Sequence, residues 1–150
     1  MRSIFLVLSL GMLSLPAFAA TPSDADYQAD GLAVVHRANE ATYAVDGDAA
    51  EFTNAGLDLW LQTDFQKPQA NVNVPGTRTR DLAKADVDCL LHRYRFSQVR
   101  YYNPEGDMVS SDDRSSDWVE PKDGTVGADL IKEICVAYDL PVAVNMQAAN

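Results

Sequence analysis

The chain is short of nearly everything that catalysis draws on. Its 150 residues include two cysteines and two histidines, and His36 and His92 are not at metal-ligand spacing. No Gly-rich phosphate loop and no G-x-S-x-G nucleophile elbow occurs. The run Ser110-Ser-Asp-Asp-Arg114 has calcium-friendly oxygens but lacks the spaced D-x-D-x-D-G pattern and a distal Glu, so it reads as a solvated loop. Glu105 and Asp107 flank Gly106 and serve a turn better than an acid–base pair. Positive charge is scarce too: 12 Lys and Arg stand against 22 Asp and Glu, a formal charge of −10. Such a chain repels nucleic acid and anionic lipid on average. Beyond residue 15 no apolar run is long enough to cross a bilayer. These absences point away from an enzyme and call for no cofactor and no metal.

What is present begins with an address. Arg2 is the only charge in the first nineteen residues, Ile4 to Leu15 is almost wholly apolar, and Pro16 precedes the small-x-small triplet Ala17-Phe18-Ala19. Residues 1–19 have the form of a secretory signal peptide, too short to remain as a membrane anchor. No cysteine follows the run, so no lipid acceptor is offered. The expected product is exported, to the periplasm or the cell exterior, and starts at Ala20, long enough for one domain with its own core.

Export gives the cysteines a meaning. In an oxidising compartment Cys89 and Cys135 most simply form one disulfide. Closing the loop between them restricts the unfolded chain by about 4 kcal/mol in the entropy picture. A catalytic thiol needs a base, and His92 lies three residues from Cys89, on the opposite face of a strand.

Residues 20–39 open with a small, polar, acidic stretch that reads as a flexible leader, and His36 to Ala44 fits either a short strand or a helical turn. LDLWLQTDF (57–65) alternates, with Leu57, Leu59, Leu61 and Phe65 on one face and Asp58, Trp60, Gln62 and Asp64 on the other. Lys67 to Gly76 is expected to be a long polar loop. Ala85, Val87, Cys89 and Leu91 then point inward. Tyr94 and Phe96 share a face while Val99 and Tyr101 have the opposite parity, so the strand has a bulge near Ser97-Gln98 or is covered on both faces. Asn103-Pro-Glu-Gly106 reverses the chain. Asp107 to Ser111 returns as a strand, and Trp118-Val119 makes a last short one. Thr125 can cap a helix whose apolar residues Val126, Leu130, Ile131 and Ile134 recur at helical spacing, ending at Cys135.

Charge is unevenly spread. Between residues 78 and 100 stand Arg78, Arg80, Lys84, Arg93, Arg95 and Arg100 against Asp81, Asp86 and Asp88. Arg78, Arg80, Arg93 and Arg95 form a candidate strip for an acidic protein partner, unless the alternation is only the solvated face of a hairpin. Trp60, among acidic neighbours, is either a core residue under the helix or an exposed binding aromatic.

Asp88-Cys89, Arg93-Tyr94-Arg95, Ser97, Tyr101-Tyr102, Gly106, Val109 to Asp113, Trp118, Pro121, Val126-Gly127, Leu130 and Cys135 together resemble the surface-adhesin protein E family of Gram-negative bacteria. The resemblance spans roughly residues 40–135. It implies an α+β fold: a small antiparallel sheet with a C-terminal helix packed on one face, which agrees with the periodicities. It also implies protein binding, to host matrix or serum proteins, and a possible homodimer. The expected layout is a signal peptide (1–19), a flexible leader (20–39), an adhesin-E-like domain (40–136) and a frayed tail (137–150). A reading from another class is an acidic periplasmic inhibitor that plugs the cationic cleft of a hydrolase such as a lysozyme.

Overall fold

The computed structural model describes residues 22–54, 56–71 and 75–141. The signal-peptide segment and most of the expected tail lie outside these residues. Helix α1 (Asp24–Ala29) is followed by strands β1 (Leu32–Arg37), β2 (Ala41–Asp46), β3 (Glu51–Phe52), β4 (Leu57–Ala70), β5 (Thr77–Asp88), β6 (Arg93–Tyr102) and β7 (Met108–Asp112), and by helix α2 (Val126–Ala137). All strands join one antiparallel sheet in the order β1-β2-β4-β5-β6-β7, with β3 pairing separately with β4. The expected α+β architecture, a sheet carrying a C-terminal helix and one disulfide, is therefore found.

Alternation in β4 and β5 sets the core. Leu57, Leu59 and Leu61 stand opposite Val87, Ala85 and Ala83, and all six are buried on one face. α2 covers that face with Ile131, Ile134 and Cys135. Full burial of Leu57, Leu59, Ile131 and Ile134 stabilises by roughly 1.5–3 kcal/mol each. Thr125 caps α2, its hydroxyl accepting from the Ala128 N–H. Cys89, at the end of β5, is bonded to Cys135 in the last turn of α2, with Cα atoms 5.9 Å apart. That distance suits a disulfide without backbone displacement. Gly56, at φ +150°, starts β4 where a Cβ would lie 2.0 Å from the Val87 carbonyl oxygen, so only glycine fits.

The parity change in β6 has a local cause. Phe96 pairs with Ala85 but Gln98 with Lys84, so the register slips by one residue at Ser97. This bulge lets Tyr94, Phe96, Val99 and Tyr101 share the helix face.

Four local expectations need correction. The leader is not structureless: residues 24–37 of it form α1 and β1. Tyr27 of α1 is 2% exposed and donates its hydroxyl to Asp64 Oδ2 at 2.8 Å, a tertiary bond that composition could not announce. Lys67 to Ala70 continues β4 rather than opening a loop. Pro68 is accommodated because β4 and β5 fall out of register between Asp64 and Gln69, where no ladder N–H is required of it. Leu91 does not point inward: Cys89 to His92 is a tight turn, with His92 at φ 51°. Leu91 is 58% exposed, and its N–H is bonded by the Asp88 carboxylate. Val126, the first residue of α2, is 39% exposed rather than buried like Ile131 and Ile134 of the stripe.

Candidate binding face

The sheet face opposite α2 is only partly covered. At one side α1 packs against β1 and reaches β4 through Tyr27, which donates to Asp64; that carboxylate also accepts from Gln62 Nε2 at 2.7 Å and from Arg80 Nε at 2.7 Å. Burial and the adjacent Asp64 carboxylate raise the Tyr27 pKa, so it stays a neutral donor. At the other side residues 116–119 run along β6: Tyr94 and Val119 exchange backbone hydrogen bonds at 3.0 and 2.7 Å, and Ser116 N–H reaches the Phe96 carbonyl at 2.7 Å. This bridge realises the short Trp118-Val119 strand as a single pair. Between these borders Trp60, Leu82, Lys84, Gln98 and Arg100 form a half-buried platform.

Trp118 lies between two guanidinium groups, those of Arg93 at 4.6 Å and Arg95 at 4.8 Å from its ring centre. Trp60 carries the Arg100 guanidinium at 4.9 Å. Both indoles are thus held by cation–π contacts. Trp60 is neither the core residue under the helix nor a free aromatic. It lies on the open face, half-buried beneath Arg100.

The candidate strip Arg78, Arg80, Arg93 and Arg95 divides in the fold. Arg80, Arg93 and Arg95 are on the open face, each beside a carboxylate of a neighbouring strand or turn: Asp64 at 2.7 Å, Asp88 at 3.1 Å and Asp86 at 2.7 Å. Lys84 pairs with Asp58 at 3.0 Å, and that hydrogen bond raises the lysine pKa. Among the described residues Arg100 is the open-face cation with no carboxylate partner; it donates to Gln98 Oε1 at 3.2 Å. Arg78 points to the helix side, between the rings of Phe65 at 5.5 Å and Tyr101 at 4.8 Å. Its Nε lies 3.2 Å from Asp81 Oδ1, but the groups are misaligned, and neither atom has a hydrogen-bond partner among the described residues. Burial therefore outweighs the guanidinium's attraction and pushes Asp81 up to about 6.

Sequence reasoning passed over Trp118 and Arg100 as site residues. The signal for Trp118 was its position after a polar loop; its partners Arg93 and Arg95 were visible only as an alternating pair. Among the described residues no His, Cys, Asp and Glu cluster could hold a metal, and no helix is long and apolar enough to cross a membrane. The arrangement defines a sheet domain, braced by a helix and a disulfide, with the sheet face opposite α2 partly open. A family model described as surface-adhesin protein E matches residues 33–136, and the chain belongs to that family. No curated protein and no solved structure matches the chain.

Proposed function

We propose that the protein is an exported, adhesin-like module that binds a protein ligand through the open face of its sheet. The observation that carries this reading is the platform of Trp60, held by Arg100, and Trp118, held by Arg93 and Arg95, on a sheet whose other face carries α2. Tryptophan and arginine dominate binding energetics because they offer large, preorganised surfaces with donors at the edge. Arg93 and Arg95 are fixed in advance by Asp88 and Asp86, so little of their side-chain freedom is lost when a partner docks. Family membership supports the same reading.

The test has two arms. Protease added to intact cells reports whether the protein reaches the exterior, as an adhesin must. Purified protein is then titrated against a panel of immobilised host matrix and serum proteins, alongside Trp60→Ala and Trp118→Ala. Loss of at least tenfold in affinity with both variants, and no change with Lys132→Ala on the exposed side of α2, is expected. Unchanged binding by both tryptophan variants moves the site elsewhere.

A further inference from the structure

The N-terminal half of α2 does not fill all the space above the sheet. Between them lies a cleft of about 270 Å³ lined by Tyr43, Ala85, Tyr94, Phe96, Gly127 and Leu130 among others, overwhelmingly apolar. Its origin is in the sequence. Ile131 and Ile134 bound the cleft toward the disulfide end, whereas further along the lining includes Gly127 of α2 and Ala85 of β5, residues too small to close the gap. Gly127 itself has little spare room: a Cβ there would lie 3.3 Å from Pro121 Cβ and 3.6 Å from the Tyr94 hydroxyl. A shallower depression under residues 38–41 shares Tyr43 and Val126 with the cleft, so the mouth opens between them.

We infer that this cleft is a binding site for a small, uncharged, apolar molecule of one or two fused rings or an equivalent branched chain. The volume exceeds that of an engineered core cavity of about 150 Å³ that admits benzene, and it sits just below the usual range of ligand pockets. The polar groups in its lining are the hydroxyls of Thr63, Tyr43 and Tyr94, with no charged side chain. Glu40 stands at the shared outer depression. An anionic ligand would meet that carboxylate and find no counter-charge in the lining, while a neutral one loses nothing on entry. A single hydroxyl or amine on the ligand could bond a tyrosine at the mouth. The site is on the face opposite the tryptophan platform and does not depend on it.

The test uses N-phenyl-1-naphthylamine, a neutral fused-ring amine whose fluorescence rises in apolar surroundings, with its anionic sulfonated analogue as the contrast. The expected result is saturable one-to-one binding of the neutral probe, at least tenfold tighter than that of the sulfonate. Ala85→Leu should place three more carbons in the gap and weaken probe binding at least tenfold, with no loss of melting temperature because the space already exists. Should that variant distort the sheet, amide shift mapping on the unaltered protein decides instead. Shifts confined to Thr63, Ala85, Phe96, Gly127 and Leu130 support the site. No binding, equal binding of the sulfonate, or shifts centred on Trp60 and Trp118 overturns it.

Discussion

Replacing Asp81 by Asn should make this protein more stable at neutral pH, although the change removes one member of an ion pair. Asp81 and Arg78 have side chains 16% and 15% exposed, and their near atoms are misaligned. For the carboxylate, the cost of burial exceeds what its misaligned attraction to Arg78 returns. The carboxyl is accordingly pushed from 3.8 up to about 6. A rise of roughly two units corresponds to about 3 kcal/mol between the protonation states. Because the folded pKa is raised, between about pH 4 and 6 the folded state keeps a proton that the unfolded state has released. Stability from this site is therefore full below pH 4 and is lost as pH climbs through 6. Asparagine mimics the protonated acid at every pH. Urea denaturation of both proteins at pH 4, 5, 6 and 7.5 isolates the effect, since other groups cancel in the difference. The variant should exceed the parent by about 3 kcal/mol at pH 7.5, and the gap should close toward pH 4. A variant less stable than the parent at pH 7.5 would falsify the argument, showing that attraction to Arg78 outweighs burial.

Other perturbations separate the parts of the fold. Cys135→Ser removes the bond that fixes the last turn of α2 to the end of β5 and should cost about 2–5 kcal/mol, read from the denaturation midpoint. Ile134→Ala, at a fully buried position, should cost about 2–5 kcal/mol, whereas Lys132→Ala on the exposed side should stay within about 0.5 kcal/mol. Equal effects at the two positions would mean that α2 is wrongly oriented. Arg93→Gln leaves the Asp88 carboxylate, 5% exposed, with the Leu91 N–H alone and should cost on the order of 1–3 kcal/mol. Arg95→Gln frees the more exposed Asp86 and should cost less by the same melting measurement.

The parts of this fold that the sequence announced are those fixed by neighbours along the chain. Alternation in 57–65 and from Ala85 to Cys89 showed which side chains face the core, and the parity change after Phe96 pointed to a bulge or a strand covered on both faces, of which the structure has the bulge. The same holds for the capped, striped helix ending at Cys135. What stayed hidden was set by partners far away in sequence. Tyr27 is buried because Asp64, 37 residues on, accepts its hydroxyl, so a polar acidic segment became α1. Pro68 looked like a strand terminator, yet β4 runs through it where the register already breaks. The arginines were legible as an alternating strip. Their carboxylates were not all legible as partners, since Asp64 reaches Arg80 from another strand.

That pairing alters what the strip can do at a distance. Among the described residues of the open face, five cations (Arg80, Lys84, Arg93, Arg95, Arg100) share the surface with four carboxylates (Asp58, Asp64, Asp86, Asp88), four of the cations each within 3.1 Å of one. A partner a Debye length away, about 8 Å at physiological salt, meets a nearly neutral patch on a protein of formal charge −10. Strong steering of an acidic ligand toward the strip, which an unpaired run of arginines would give, is not expected of this surface. Recognition has to come from contact: stacked indoles, the planar edges of the guanidinium groups, and Arg100, whose partners among the described residues are Trp60 and Gln98. For whichever ligand the binding panel selects, the association rate should change by less than about threefold between 50 and 500 mM salt, with the contact energy appearing in the dissociation rate. Association rates that fall tenfold or more over that range, and that lose this dependence in Arg93→Gln/Arg95→Gln, would show the strip acting as a true basic patch despite its carboxylates.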